Sequence, residues 1–112
     1  MVDDHAAFRA SARRLLELTG YDVVAEAGDG ASGLALVRDL EPELVLLDVA
    51  LPDMSGFDVA DALAGGPSAV VLVSSRGPDD LGRRARKCGA VGFISKDRLS
   101  EETLGELLAT SE

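Results

Sequence analysis

The sequence predicts an α/β domain in which a parallel sheet is covered by helices on both faces. Three observations predict it. Short runs rich in Val and Leu recur along the chain: Val23-Val24-Ala25, Leu44-Val45-Leu46-Leu47, Ala69-Val70-Val71-Leu72-Val73 and Val91-Gly92-Phe93-Ile94. The second and third are apolar without alternation, as in strands buried on both sides. Amphipathic stretches of helical spacing separate the runs, and strands alternating with such helices imply right-handed βαβ crossovers.

The elements follow in order. A very short strand opens the chain, and a helix is expected over about 5–19, with Phe8, Ala12, Leu15 and Thr19 on one face. Gly20 is placed where that helix should stop. A strand over about 22–27 precedes a helix over about 31–40, whose inner face carries Leu34 and Val37. A strand over about 44–49 leads to a helix over about 56–64 and a strand over about 69–74. Pro78-Asp79-Asp80 reads as the start of a helix over about 78–88, because acids are favourable at the positive end of the helix dipole. Leu81, Ala85 and Cys88 share its inner face and Gly89 ends it. A last strand over about 91–95 and a helix over about 100–110, with Leu104, Leu107 and Leu108 inward, complete the order. Gly65-Gly66-Pro67-Ser68 is a turn within one domain spanning 1–112.

Composition narrows the function. The formal net charge is -9, which opposes direct binding of nucleic acid by this domain. Aromatic residues are 4% of the chain, so the core must be built from Val, Leu and Ala. Cys88 is the single cysteine, which excludes an internal disulfide and fits a reducing cytoplasm. The start, Met1-Val2-Asp3-Asp4-His5, is too acidic for a signal peptide, and the apolar runs are too short to span a bilayer. A cytoplasmic domain that does not enter the membrane is expected.

In such a sheet the functional crevice lies beyond the carboxyl ends of the strands. Asp3 and Asp4 follow the first strand, Asp48 ends the third, Ser74 and Ser75 end the fourth, and Lys96 ends the fifth. Three carboxylates in one pocket repel one another, and a hard divalent cation relieves that conflict. Oxygen donors select magnesium, with manganese as the alternative. A carboxylate beside such a cation can attack phosphorus and form an acyl phosphate, with Lys96 and the cation neutralising the phosphoryl oxygens.

Four blocks carry a family resemblance: Val2-Asp3-Asp4-His5, Leu46-Leu47-Asp48-Val49-Ala50-Leu51-Pro52-Asp53-Met54-Ser55-Gly56, Val71-Leu72-Val73-Ser74-Ser75 and Gly89-Ala90-Val91-Gly92-Phe93-Ile94-Ser95-Lys96-Asp97. In that order they resemble the signature blocks of bacterial response-regulator receiver domains of two-component systems, over essentially the whole chain. The resemblance implies a flavodoxin-like, doubly wound, five-stranded parallel sheet of order 2-1-3-4-5. It implies that Asp48 accepts a phosphoryl group from a sensor histidine kinase. By the same match Asp4 would ligate Mg2+ directly and Asp3 more through water, with Asp48 and the backbone carbonyl of Ala50 completing the protein ligands. Ser74 would be the switch hydroxyl, with Ser75 close enough to compete for the role. Lys96 would pair the phosphate and Phe93 would be the switch aromatic. The fourth helix, fifth strand and fifth helix would form the signalling face, through which a homodimer could form. Asp4-His5 and Lys96-Asp97 resemble the subclass usually fused to a helix-turn-helix output domain.

Each residue also has a plainer use. A single Asp at a helix start is more often an N-cap, and the second Asp together with Asp48 tips the reading to a metal site. Lys96 alone would be a solvated lysine, and Phe93 alone a core filler. His5 is expected at the surface near the pocket rather than as a ligand, and Cys88 as apolar filling. Arg83, Arg84, Arg86 and Lys87 are read equally as a solvated helix face and as a partner-docking patch.

Three departures from the family pattern stand out, one of them Lys96-Asp97 where many receivers have Lys-Pro, which disfavours a cis bond there. Only Met1 and Val2 precede the acidic pair, whereas strands average about five to six residues. A truncated first strand is therefore expected, with the recorded start inside a longer reading frame as the preferred explanation. The remaining departure is the end at Glu112, consistent with a free-standing receiver or a cut regulator. The competing function is a pseudo-receiver used as a constitutive interaction or dimerisation module, favoured by the clipped strand. A small hydrolase using Asp48 as nucleophile ranks lower, for want of a second acid-base group. Flavin binding lacks a Gly-rich phosphate loop after the first strand.

Overall fold

The computed structural model describes residues 1–75 and 81–109, the side chains at 81, 82 and 86 excepted. Among the described residues the order is α1 (Ala6–Leu18), α2 (Gly30–Leu40), β1 (Leu44–Asp48), α3 (Gly56–Leu63), β2 (Ala69–Ser74), α4 (Leu81–Lys87), β3 (Gly92–Ser95), a 3-10 turn (Lys96–Arg98) and α5 (Glu101–Ala109). The three strands form one parallel sheet in the order β1-β2-β3. Leu47 pairs with Leu72, and Leu72 with Phe93.

Side-chain alternation splits the core in two. Val45, Leu47, Val70 and Leu72 pack with Val37, Phe57, Val59, Leu63 and Ala85 from α2, α3 and α4. Leu46, Val71, Val73 and Ile94 pack with Ala12, Leu16 and Leu104 from α1 and α5. No Trp and few aromatics are needed, because branched aliphatic side chains fill a parallel sheet buried on both faces.

Local chemistry sets the helix ends. Asp29 accepts the Ser32 N–H at 2.7 Å to open α2, and Ser55 Oγ accepts the Phe57 N–H at 3.1 Å to open α3. Ser100 and Thr103 cap α5 reciprocally: each hydroxyl accepts the other's backbone N–H, at 3.1 and 2.9 Å. Gly20 and Gly89 have φ of +96° and +88°, the left-handed conformation expected where α1 and α4 stop.

The first segment pairs through single bridges. Val2 is bridged in parallel to both Ala27 and Leu47. Its N–H donates to Leu46 O at 2.8 Å, and its carbonyl accepts the Asp48 N–H at 2.9 Å. Of the expected strand over 22–27, Ala27 alone is bridged. A partner that contributes one bridging residue cannot hold a longer ladder, and Val24 is exposed. The inner face of α1 is corrected: Ala12 and Leu16 are buried, while Leu15 and Thr19 are only half-buried. The expected helix start at Pro78-Asp79-Asp80 lies outside the described residues, as does residue 110. A largely apolar cavity of about 470 Å³ lies at the amino end of the sheet, lined by Met1, Val2, Val23, Leu36, Leu40 and Leu44 among others.

Candidate functional site

Asp48 ends β1 and is 2% exposed, while Asp3 is 0% exposed. The backbone forces this closeness. The bonds of Val2 to Leu46 and Asp48, and of the Asp3 N–H to Ala27 O at 2.9 Å, hold the acidic pair beside the end of β1. Arg9 Nη1 donates to the Asp3 carbonyl, and Arg9 Nε donates to Glu26 at 3.2 Å. The turn leaving β1 folds back over Asp48: Ala50 is bridged antiparallel to Ser55, and the Gly56 N–H donates to Val49 O at 2.8 Å. A Cβ at Gly56 would strike Asp48 O and Val49 Cα, so only glycine allows so close an approach.

Lys96 opens the 3-10 turn after β3 and lies between the two buried acids. Its Nζ is 2.7 Å from Asp3 Oδ2 and 3.4 Å from Asp48 Oδ2. The shorter contact is an ion pair outside hydrogen-bond geometry, because Asp3 Oδ2 has no hydrogen-bond partner. Lys96 Nζ also stands 4.5 Å from the Phe8 ring centroid, a cation–π contact. One ammonium thus serves two buried carboxylates. Burial, and next the Asp3 charge, push the Asp48 carboxyl above its ordinary value; Lys96 and the Ala50 N–H, 3.3 Å from Asp48 Oδ1, pull it down.

Asp4 and His5 form the rim. The Asp4 side chain is 36% exposed and the His5 side chain 62%. His5 Nδ1 lies 3.1 Å from Asp3 Oδ1, 3.1 Å from Asp4 Oδ1 and 3.8 Å from Asp48 Oδ2. Ligand atoms of Asp3, Asp4, His5 and Asp48 all fall within 4.8 Å of one another. A surplus of negative charge with one lysine to offset it, and a buried oxygen lacking a hydrogen bond, fits a small hard cation.

The remaining expected residues are placed less closely. Ser74 is buried at the end of β2, one position beyond Val73, the residue paired with Asp48. Ser75 is exposed beyond the strand. Phe93 is half-buried and packs with the α2, α3 and α4 side of the core. Arg83, Arg84 and Lys87 are exposed on α4, and the Arg84 guanidinium stands 4.2 Å from the Phe57 ring centroid. Cys88 is half-buried against the core, its S–H toward Ala85 O at 3.1 Å.

His5 was expected at the surface near the pocket rather than as a ligand, and the structure has it exposed at the rim with Nδ1 beside the carboxylates. The signal was its adjacency to the acidic pair. Asp53 was missed: its carboxylate accepts the N–H groups of Gly30 at 2.8 Å and Ala31 at 3.0 Å, tying the turn after Asp48 to the start of α2. Those two bonds hold its pKa below the usual value. Nothing local in the sequence couples residue 53 to residue 30.

Comparison with known proteins agrees with this geometry. The response regulator receiver domain family matches residues 1–108. BvgA of Bordetella pertussis, named as a transcription regulator of virulence factors, is 33% identical over 106 residues, covering 93% of this chain and 51% of BvgA. NarL of Mycobacterium tuberculosis, named as a transcriptional regulatory protein, is 38% identical over 109 residues, covering 95% of this chain and 50% of NarL. The chain therefore spans about half the length of these relatives. The solved signal receiver domain of NarL from M. tuberculosis matches with a TM-score of 0.86 at 37% identity, covering 97% of this chain and 90% of that one. Among the described residues no helix is long and apolar enough to cross a membrane. The fold is the CheY-like, flavodoxin-like arrangement of parallel sheet and helices, and the chain belongs to the response regulator receiver domain family.

Proposed function

We propose that this domain is a phosphoacceptor switch in which Asp48 takes a phosphoryl group from a sensor histidine kinase. The observation that carries the proposal is the buried Asp48 carboxylate with Lys96 Nζ 3.4 Å from Oδ2, at the mouth formed by Asp3, Asp4 and His5. A carboxylate ending an apolar strand is unfavourable without compensation, and Lys96 supplies only one charge for two acids. A bound Mg2+, held by Asp3, Asp4, Asp48 and the Ala50 carbonyl, would supply Lewis-acid neutralisation of the phosphoryl oxygens, and Mn2+ would serve similarly. Asp4, on the rim, suits a direct ligand. Asp3, engaged by Lys96, suits a water-mediated one.

In the transfer, an Asp48 oxygen forms a bond to phosphorus as the bond from phosphorus to the donor histidine nitrogen breaks. Lys96 neutralises charge gathering on the phosphoryl group. Ser74, or Ser75 in its place, donates a hydroxyl to a phosphoryl oxygen, and Phe93 moves inward. These shifts bias a two-state equilibrium of the face built from α4, β3 and α5, which offers a surface for a homodimer. The domain promotes its own phosphorylation and dephosphorylation and is no metabolic enzyme. We read the segment at Met1 and Val2 and residues 22–27 as the first and second strands of a five-stranded sheet of order 2-1-3-4-5, the first one short. Residues 1–112 form one domain, working in the cytoplasm with neither membrane nor nucleic acid as its own partner.

Acetyl phosphate with Mg2+ tests the proposal. Intact mass should rise by one phosphoryl group, and the gain should vanish without the cation and in Asp48→Ala. A gain that persists in Asp48→Ala would move the acceptor elsewhere. Absence of any gain would favour a pseudo-receiver that acts as a constitutive interaction module.

A further inference from the structure

We propose that His5 is an additional ligand of the cation site, giving it a nitrogen donor and with it affinity for borderline divalent metals such as Ni2+, Cu2+ and Zn2+. The inference rests on reading the acidic cluster as a cation site and concerns which cations that site takes. Two ligands at right angles around a small divalent ion, each about 2.1 Å from it, lie roughly 3.0 Å apart. His5 Nδ1 lies 3.1 Å from Asp3 Oδ1 and 3.1 Å from Asp4 Oδ1, and 3.8 Å from Asp48 Oδ2. The spacing to Asp4, the direct ligand of that reading, matches the edge of a coordination shell. The ring nitrogen nearest the acids is Nδ1, which here shares a hydrogen bond with Asp3 Oδ1 and stands 3.4 Å from Lys96 Nζ; a cation in the cluster would take the place of the Nδ1 proton. Asp3 and Asp48 form the buried floor, and His5 and Asp4 form the solvent-facing mouth through which an ion enters.

The chemistry of the donor set separates two classes of ion. An all-oxygen set suits Mg2+ and Mn2+, whereas imidazole with carboxylates suits Zn2+, Cu2+ and Ni2+, which bind N and O donors more tightly along the first-row series. Mg2+ gains little from one imidazole and dehydrates reluctantly. The His5 side chain caps no helix N–H, although His5 occupies the N-cap position of α1. Its removal takes away the Nδ1 contacts to Asp3, Asp4 and Lys96 but no backbone hydrogen bond, so the Mg2+ affinity of the variant serves as the control for a general disturbance of the cluster.

The chain contains one histidine, so an imidazole signal in untagged protein can come only from His5. Pulsed EPR of the protein with one equivalent of Cu2+ should show modulation from the remote imidazole nitrogen. No such modulation overturns the proposal. Calorimetric titration of wild type and His5→Ala provides a second arm. Ni2+ affinity should fall about tenfold or more in the variant, and Mg2+ affinity by less than about threefold. Unchanged Ni2+ affinity, or equal losses for both ions, overturns it. The two readings fail separately: Mg2+ binding and phosphorylation without imidazole coupling removes only the role of His5. Imidazole coupling without phosphorylation removes only the phosphoacceptor function.

Discussion

Burial and the Asp3 charge oppose ionisation of Asp48 more strongly than Lys96 favours it, so its folded-state pKa stands above the unfolded value of 3.8. The sign follows from linkage. Protonated Asp48 is the form the fold prefers, so the stability it contributes is present at low pH. It is lost as pH rises through the raised value. Replacing the carboxylate with a neutral isostere removes that loss. Asp48→Asn should therefore melt at a higher temperature than wild type at pH 7 without divalent metal, and the gap should narrow as pH falls toward 4. An equal or lower melting temperature at pH 7 would count against the electrostatic account. Lys96 is the opposite case. Its side chain is 12% exposed and faces both acids. Lys96→Ala leaves two buried carboxylates without their cation and should cost on the order of 3 kcal/mol in chemical denaturation of the metal-free protein.

Two glycines divide the elements into those shaped by the site and those that are not. Gly56 begins α3, and a methyl group there would meet Asp48 O and Val49 Cα, which are backbone and cannot swing aside. Gly56→Ala should cost roughly 1–3 kcal/mol and displace Asp48, so that acetyl phosphate labelling falls with stability. Gly105 lies inside α5 with nothing within 4 Å of an added Cβ. Gly105→Ala should gain about 0.5–1 kcal/mol from helix propensity, leaving labelling unchanged. Guanidinium denaturation of both variants checks the pair. The same contrast explains what was legible in the sequence. β1, β2 and β3 were legible because their apolar runs are intrinsic to the segments, and Asp48 and Lys96 because each ends such a run. Residues 22–26 have the Val-Val-Ala signature of a strand but no ladder, since pairing depends on a neighbour and Val2 supplies one bridge to Ala27. His5, Phe8 and Asp53 were not legible as site or loop residues. Their roles arise from contacts with Asp3, Lys96 and Gly30 that only the folded chain creates.

Over the whole molecule, diffuse repulsion and specific neutralisation make different demands on salt. The net charge is -9 on a body measuring 28 × 28 × 27 Å. At 0.01 M ionic strength the Debye length is about 30 Å, so charges on opposite sides still repel; at 0.1 M it is about 10 Å and they do not. Raising NaCl over that interval should therefore raise the melting temperature, because the compact state gathers its like charges more closely than the unfolded chain. MgCl2 at matched ionic strength should raise it further, since an ion bound only by the folded state adds stability by mass action. Asp4 separates the two contributions. Its side chain is partly exposed and packs into neither core, so Asp4→Asn should keep the response to NaCl and lose most of the extra response to MgCl2. Differential scanning calorimetry on both proteins in both salts reads the difference directly. Equal shifts for the two salts in wild type would mean that Asp3, Asp4 and Asp48 act only as part of a diffuse anionic surface.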